Sequence, residues 1–273
     1  MPAFPSAVFD NEVQYEVRDD GVAVITLNAP QRLNAIGRMM ANGVQHALDL
    51  ASEDITVRAI VLTASGTRAF CVGGNLASDD DGAATGFKGR PGDAIPPTTA
   101  AAIRTLRTGM CSSLSLREMN VPTLAAINGA CAGAGLSWAC ACDLRFSADT
   151  ALFRTAFLTA GLSGDYGLSW TLPRIVGPAR ARELFFLNAK VPAAEALRIG
   201  LVSAVLPQAE LLPRVLEIAA ELARAPPLAL ACIKQNLLQA DRPLSFSDTM
   251  DGEAERHVRT ALHTDAREAG LVL

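Results

Sequence analysis

Two short segments of this 273-residue chain join an apolar run to a cluster of glycines: CVGGNL at 71–76 and INGACAGAG at 127–135. Glycine lets backbone N–H groups approach a ligand closely, and the start of a helix presents unpaired donors at a positive dipole end. Two such donors meeting at one oxygen make an oxyanion hole, which stabilises charge developing on a carbonyl. The alternative is that these glycines only allow strand and helix to pack tightly, and at this level both readings stand. Neither segment is G-x-G-x-x-G after a first strand, so no dinucleotide site is expected. The three histidines are well separated, and Cys140 and Cys142 are spaced CxC with no CxxC pair anywhere. No metal site is therefore expected.

The elements that must carry these turns read as an α/β chain. Residues 13–17 and 22–27 flank Asp19-Asp20-Gly21 as a β-hairpin. A helix follows over 39–50, a β-branched strand over 57–63, and a strand breaking at Gly73-Gly74. Residues 78–97, with three consecutive aspartates, read as a loop of the kind that covers a site. The spacing predicts one helix over 99–119 and a buried strand over 123–127. A helix from Gly133 through Ala141 and a strand over 144–147 come next. Helices at 178–187 and 193–199, a strand at 201–206 and an all-helical stretch from Glu210 complete the pattern. Two parts are expected, 1–206 holding the site and 207–273 a helical region.

Half the residues are apolar and 19% are charged, with a net charge of −4. That composition excludes a disordered chain, and no basic stripe suggests nucleic acid. Glycines and Asn128 interrupt the apolar stretch at 121–142, so no membrane span is expected. Six cysteines are too few for a disulfide scaffold, and the first residues lack the pattern of a signal peptide. A cytoplasmic, reducing location is the expectation.

Five collinear segments resemble the crotonase (enoyl-CoA hydratase/isomerase) superfamily: LNAPQRLNAI at 27–36, AFCVGGNL at 69–76, AAINGACAGAG at 125–135, CDLRFSA at 142–148, and 161–177. The resemblance implies a spiral of repeated ββα units with a C-terminal helical region used in trimerisation. It implies a homotrimer, or a hexamer made of two trimers, and an acyl-CoA thioester as substrate with no further cofactor. It assigns the oxyanion donors to the backbone N–H groups of Gly74 and Ala134. It places Gln31, Arg32, Asn34, Ala35, Gly73, Asn75 and Leu76 along the CoA moiety. Relatives of this kind run on past a segment like 264–269 into a Phe-x-Glu-Lys-Arg helix, where this sequence reads GLVL.

Hydratases of the family use two glutamates, and this sequence has Ser137 at one position and Ala156-Phe157 at the other. Neither serine nor phenylalanine is a useful base near neutral pH. One carboxylate stands in the right stretch, Asp165, in a segment similar to ring-1,2-epoxyphenylacetyl-CoA isomerases and Δ3,Δ2-enoyl-CoA isomerases. Its apolar neighbours Phe157, Leu158, Leu162 and Leu168 are expected to raise its pKa. A single carboxylate suffices for a 1,3-proton shift. The plainer alternative is a loop aspartate that caps a turn or pairs with Arg154 or Arg174. Dehalogenases of the family, with a nucleophilic aspartate at this position, also need a histidine in the preceding long helix, and 99–119 contains none.

Met110, Ser137, Trp138, Phe157 and Leu162 are the expected acyl-pocket residues. Trp138 could line the pocket or fill the core, and Ser137 could bond substrate or only its own helix. Asp143 and Asp149 read as structural, Glu183 as part of a solvated face, and His46, His257 and His263 as surface residues. A hydratase-like lyase with unusual water placement, and a catalytically silent acyl-CoA-binding subunit, are the rival readings.

Overall fold

In the computed structural model, which describes residues 6–9, 11–75 and 99–263, the strands form two sheets, and from the fourth to the ninth they enter them alternately. The first sheet begins with β1 (Ser6–Phe9), β2 (Val13–Val17) and β3 (Val22–Leu27), all antiparallel. The expected hairpin is present, with Val17 opposite Ala23 and Gly21 turning at φ 79°. β1 was not foreseen: it is a four-residue edge strand with Val8 exposed, too short to declare a period.

Helix α1 (Arg38–Glu53) leads into β4 (Ala59–Ala64), which lies parallel to β3. Every residue of β4 is buried, as a strand covered on both faces requires. The chain then crosses to the second sheet with β5 (Ala69–Cys71). The same step repeats twice. β6 (Thr123–Ile127) joins the first sheet and β7 (Ala130–Ala132) the second, followed by α4 (Ala134–Ala141). β8 (Leu144–Ala148) and β9 (Leu152–Arg154) do likewise. These are the turns of a ββα spiral. β10 (Val191–Pro192) closes the second sheet and β11 (Ala204–Leu206) the first.

Two elements depart from the periodicity. The helix expected over 99–119 divides into α2 (Thr99–Gly109) and α3 (Cys111–Glu118). Glycine is a poor helix former, and a side-chain carbon at Gly109 would lie 2.8 Å from the Tyr166 hydroxyl, so the break makes room for that ring. Helix α5 (Leu168–Val176) does not show in the sequence pattern because Pro173 inside it obscures the helical periodicity. Helices α6 (Pro178–Leu187) and α7 (Ala193–Arg198) follow their expected bounds closely.

Helix α8 (Leu211–Arg224) packs Leu211, Val215, Ala219 and Ala223 on the outer face of the first sheet, against Val22, Val61, Leu124, Ala126 and Phe146. The packed core thus runs on past residue 206. Helices α9 (Pro227–Ala240) and α10 (Phe246–Ala261) form a hairpin beyond it. Helix α9 is moored by Lys234, whose ammonium donates to Asp143 at 2.8 Å and to the Val121 carbonyl at 3.1 Å. Asp143 also accepts from the Thr123 N–H at 2.8 Å, which makes it the structural residue expected. Helix α10 has a capping box from Ser245 and Asp248 and buries no residue. No helix among the described residues is long and apolar enough to cross a membrane.

Lys234 is 8% exposed and its partner 32%. Breaking a fully buried pair costs about 3–5 kcal/mol, and solvent at Asp143 reduces that. Lys234→Met is expected to destabilise the protein by about 2 kcal/mol, lowering the thermal midpoint by roughly 4–8 °C. An unchanged midpoint in calorimetry would remove this anchor from the account.

Candidate active site

Strands β5 and β7 are parallel neighbours, with Cys71 opposite Cys131. The glycine turns that follow them therefore leave the sheet side by side. On the first, the Gly73 carbonyl accepts from the Ile36 N–H at 2.7 Å and the Asn75 N–H donates to the Ile36 carbonyl at 2.9 Å. These bonds hold Gly74 between them, exposed and with open space at its α-carbon. On the second, Gly133 adopts φ 52°, ψ −130°, a conformation open to glycine, and starts α4. A side-chain carbon at Gly73 would lie 3.4 Å from the Ala134 nitrogen. The N–H groups of Gly74 and Ala134 find no backbone partner among the described residues. Two free donors thus stand on adjacent turns, as an oxyanion hole needs.

Asp165 sits in a turn built from left-handed residues: Gly164 at φ 122°, Tyr166 at 49° and Gly167 at 81°. The Tyr166 ring is buried and meets Trp138 edge-on at 5.8 Å. One carboxylate oxygen of Asp165 is buried with no hydrogen-bond partner among the described residues. Desolvation by burial raises its pKa from 3.8 to about 6. The pairing alternatives are not realised. Arg154 donates to the Asn188 carbonyl at 2.8 Å. Arg174 lies 3.5 Å from Asp241 and 3.7 Å from the centre of the Trp170 ring, which Arg117 caps from 4.2 Å.

Phe157 forms the wall between the two parts of the site. Its ring is buried, stacks on Phe185 at 6.4 Å, and would lie 3.9 Å from a side-chain carbon at either Gly133 or Gly164. Leu162 is half-exposed beside it, and Met110 is partly buried against the core. Two expected pocket residues are placed differently. Trp138 is fully buried and its indole N–H donates to Ser112 at 2.9 Å, so it stands behind Tyr166 as core. Ser137 is also fully buried, with its hydroxyl turned to the carbonyls of Gly133 and Asp165. Cys71 lies beneath the site, its thiol pushed up to about 12 by burial, with the Asp165 charge adding to the shift.

The segment expected along CoA is held largely by its own bonds. Asn34 is fully buried. It accepts from the Ala29 N–H at 2.8 Å and donates to the carbonyls of Ser65 and Ala69 at 3.2 and 2.9 Å. Its amide thus braces two loops at the edge of a cavity. Arg32 is tied to Glu12 at 2.5 Å and to the Ala35 carbonyl at 3.3 Å. Ala35 is buried, while Gln31 is exposed. Gln31 lines a cavity of about 220 Å³ with Asn34, Ser65, Thr67 and Arg68. Leu76 and the loop at 78–97 lie outside the described residues, as does 264–273.

Two contributors escaped the sequence reading. Arg68 is an exposed cation at that cavity, signalled only by its place just before AFCVGG. Asn188, left-handed at the end of α6, accepts from the Ala156 N–H at 2.9 Å and donates to Thr159, so it shapes the turn carrying Phe157. Its signal was an asparagine at a helix end. His46 and His257 lie exposed on α1 and α10, and Glu183 pairs with Arg180 on the surface. Among the described residues no three His, Cys, Asp or Glu side chains gather as metal ligands.

The family model described as enoyl-CoA hydratase/isomerase matches residues 17–90 and 101–272. A Rhodobacter capsulatus protein named a probable enoyl-CoA hydratase is 38% identical over 225 residues, covering 82% of this chain and 79% of its own. A Mycobacterium bovis protein of the same description is 37% identical over 203 residues, 74% of this chain and 68% of its own. The crystal structure of an enoyl-CoA hydratase from Polaromonas sp. JS666 superposes with a TM-score of 0.81 at 30% identity, covering 94% of both chains.

Because burial raises the Asp165 carboxyl from 3.8 to about 6, the folded state holds this proton more tightly than the unfolded chain. The stability contributed by that proton is full below pH 3.8 and is lost as pH rises through 6. At pH 8 the fold therefore bears a desolvated charge. Asp165→Asn is expected to stabilise the protein there by about 1–2 kcal/mol, allowing for partial solvent access. The gain should vanish toward pH 4. Urea unfolding at both values measures it, and equal shifts at both would exclude burial as the cause.

Proposed function

The chain belongs to the enoyl-CoA hydratase/isomerase family, and we propose that it is an isomerase within it, moving the double bond of a 3-enoyl-CoA thioester to the 2-position. The observation that carries this reading is the half-buried carboxylate of Asp165, one oxygen of which has no partner among the described residues, beside two turns whose Gly74 and Ala134 N–H groups have no backbone partner there. The ionised carboxylate takes a proton from C2. The thioester oxygen becomes an enolate oxygen held by Gly74 and Ala134, and the acid returns its proton to C4. The shift is redox-neutral and asks only for a base and an oxyanion hole. A hole donor is worth about 3–4 kcal/mol in such chemistry, so the backbone pair supplies much of the rate.

Positions 137 and 156–157 hold no carboxylate, which favours this reaction over two-glutamate hydration. Phe157 and Leu162 line the acyl side. Gln31 and Arg68 line the cavity that would take the CoA side, together with Leu33 and Asn34. The exposed Leu237, Phe246, Met250 and Val258 of α9 and α10 suit burial between copies in a homotrimer or a hexamer. The six unpaired cysteines suit a reducing cytoplasm.

A second reading, hydration with Asp165 as the one water-activating base, draws support from the hydratase names of the relatives. Product analysis in D₂O with 3-enoyl- and 2-enoyl-CoA separates the two. Wild type is expected to give deuterated 2-enoyl product, with kcat/KM rising through an apparent pKa near 6 as Asp165 ionises. Asp165→Asn should lower turnover at least about 10³-fold, the scale of removing a catalytic base. A 3-hydroxyacyl product carrying solvent oxygen would establish hydration instead. Binding without exchange or conversion would identify a silent subunit. Arg68→Glu is expected to raise KM for the CoA ester about tenfold at constant kcat, which steady-state kinetics would show.

A further inference from the structure

A proton shift between two carbons leaves little tolerance in the placement of the base against the oxyanion donors. In this chain the two come from separate segments, α4 and the 164–167 turn. One Asp165 carboxylate oxygen is buried with no hydrogen-bond partner among the described residues to fix it. We propose, building on the isomerase reading above, that Ser137 is a positioning residue that locks the oxyanion-hole peptide to the backbone of Asp165.

The geometry is specific. The Ser137 hydroxyl lies 3.2 Å from the Gly133 carbonyl oxygen and 3.1 Å from the Asp165 carbonyl oxygen. The Gly133 carbonyl and the Ala134 N–H belong to one peptide unit. A donor on that carbonyl fixes the plane in which the hole N–H points, and it polarises the N–H toward stronger donation. The hydroxyl has one proton for two acceptors, so it bridges the two segments as a shared donor. The next residue repeats the grip, because Trp138 holds the Tyr166 ring edge-on at 5.8 Å. Residues 137 and 138 thus clasp residues 165 and 166 in register. Ser137 touches neither carboxylate oxygen nor open space, being fully buried. It acts through the backbone.

Both carbonyls keep a second donor without the hydroxyl. The Ser137 N–H reaches Gly133 at 3.1 Å, and the Leu168 N–H reaches Asp165 at 3.2 Å. Ser137→Ala should therefore fold with little loss of thermal stability while losing the bridge. The test compares wild type, Ser137→Ala, Ser137→Thr and Asp165→Asn for isomerisation of a 3-enoyl-CoA and for deuterium exchange at C2. Ser137→Ala is expected to lower the isomerisation kcat about tenfold with KM within twofold. C2 exchange should fall less than isomerisation, because a misplaced carboxylate returns the proton to C2 more often than it reaches C4. Ser137→Thr retains the hydroxyl and should retain the wild-type exchange-to-isomerisation ratio. A wild-type kcat and ratio in Ser137→Ala would overturn the proposal while leaving the role of Asp165 intact. Proportional loss of both activities together with a lowered thermal midpoint would also overturn it, since that marks a merely structural serine. Full exchange in Asp165→Asn would instead overturn the isomerase reading, and this proposal with it.

Discussion

The site depends on how closely the start of α4 approaches the end of β5. A side-chain carbon at Gly135 would stand 2.4 Å from the Cys71 carbonyl oxygen and 2.7 Å from its sulfur. Only a residue without a side chain lets the helix lie there. That contact brings the Ala134 N–H beside Gly73 and Gly74, and it sets Ser137 and Trp138 against the turn that carries Asp165. The glycines could have served tight packing or the presentation of N–H donors, and here one contact does both. The packing creates the donor geometry.

The proposed base sits where the fold is least comfortable. Asp165 is held in a run of left-handed residues, Tyr166 among them, and its carboxylate is partly desolvated with no counter-charge beside it among the described residues. Such strain persists only where the surroundings over-determine it. Here they do so through the Ser137 hydroxyl, the Trp138 and Tyr166 rings, and the anchoring of α5 by Trp170 between Arg117 and Arg174. The cations that could have neutralised Asp165 are spent elsewhere. A raised carboxylate pKa follows from that arrangement, and a poised base is what a proton shuttle uses.

Loops at this end of the sheets have no ladder to satisfy their backbone groups, and three asparagine amides substitute for one. Asn34 ties the 29–34 turn to Ser65 and Ala69. Asn128 donates to Ala64 at 2.7 Å and Gly66 at 2.6 Å. Asn188 gathers Arg154, Thr155, Ala156 and Thr159. Each stitches together segments distant in sequence.

By itself the sequence determined the alternation of strands and helices and the two glycine turns, while Asp165 was singled out by the family resemblance. The first two depend on local periodicity and on residue types that announce their backbone needs. It also placed Asp143 as structural, since a carboxylate at a strand end has neighbouring N–H groups to accept from. What only the tertiary structure decided is where side chains spend their hydrogen bonds. Asn34, read as a ligand contact, spends its amide as a buried brace, and Trp138, poised between pocket and core, belongs to the core. Helix 99–119 broke because Tyr166, far along the chain, needed the space at Gly109. Arg174 and Arg154 had equal claim on Asp165 until folding gave each a nearer partner. Those outcomes depend on contacts between remote segments, which residue spacing along one chain does not encode.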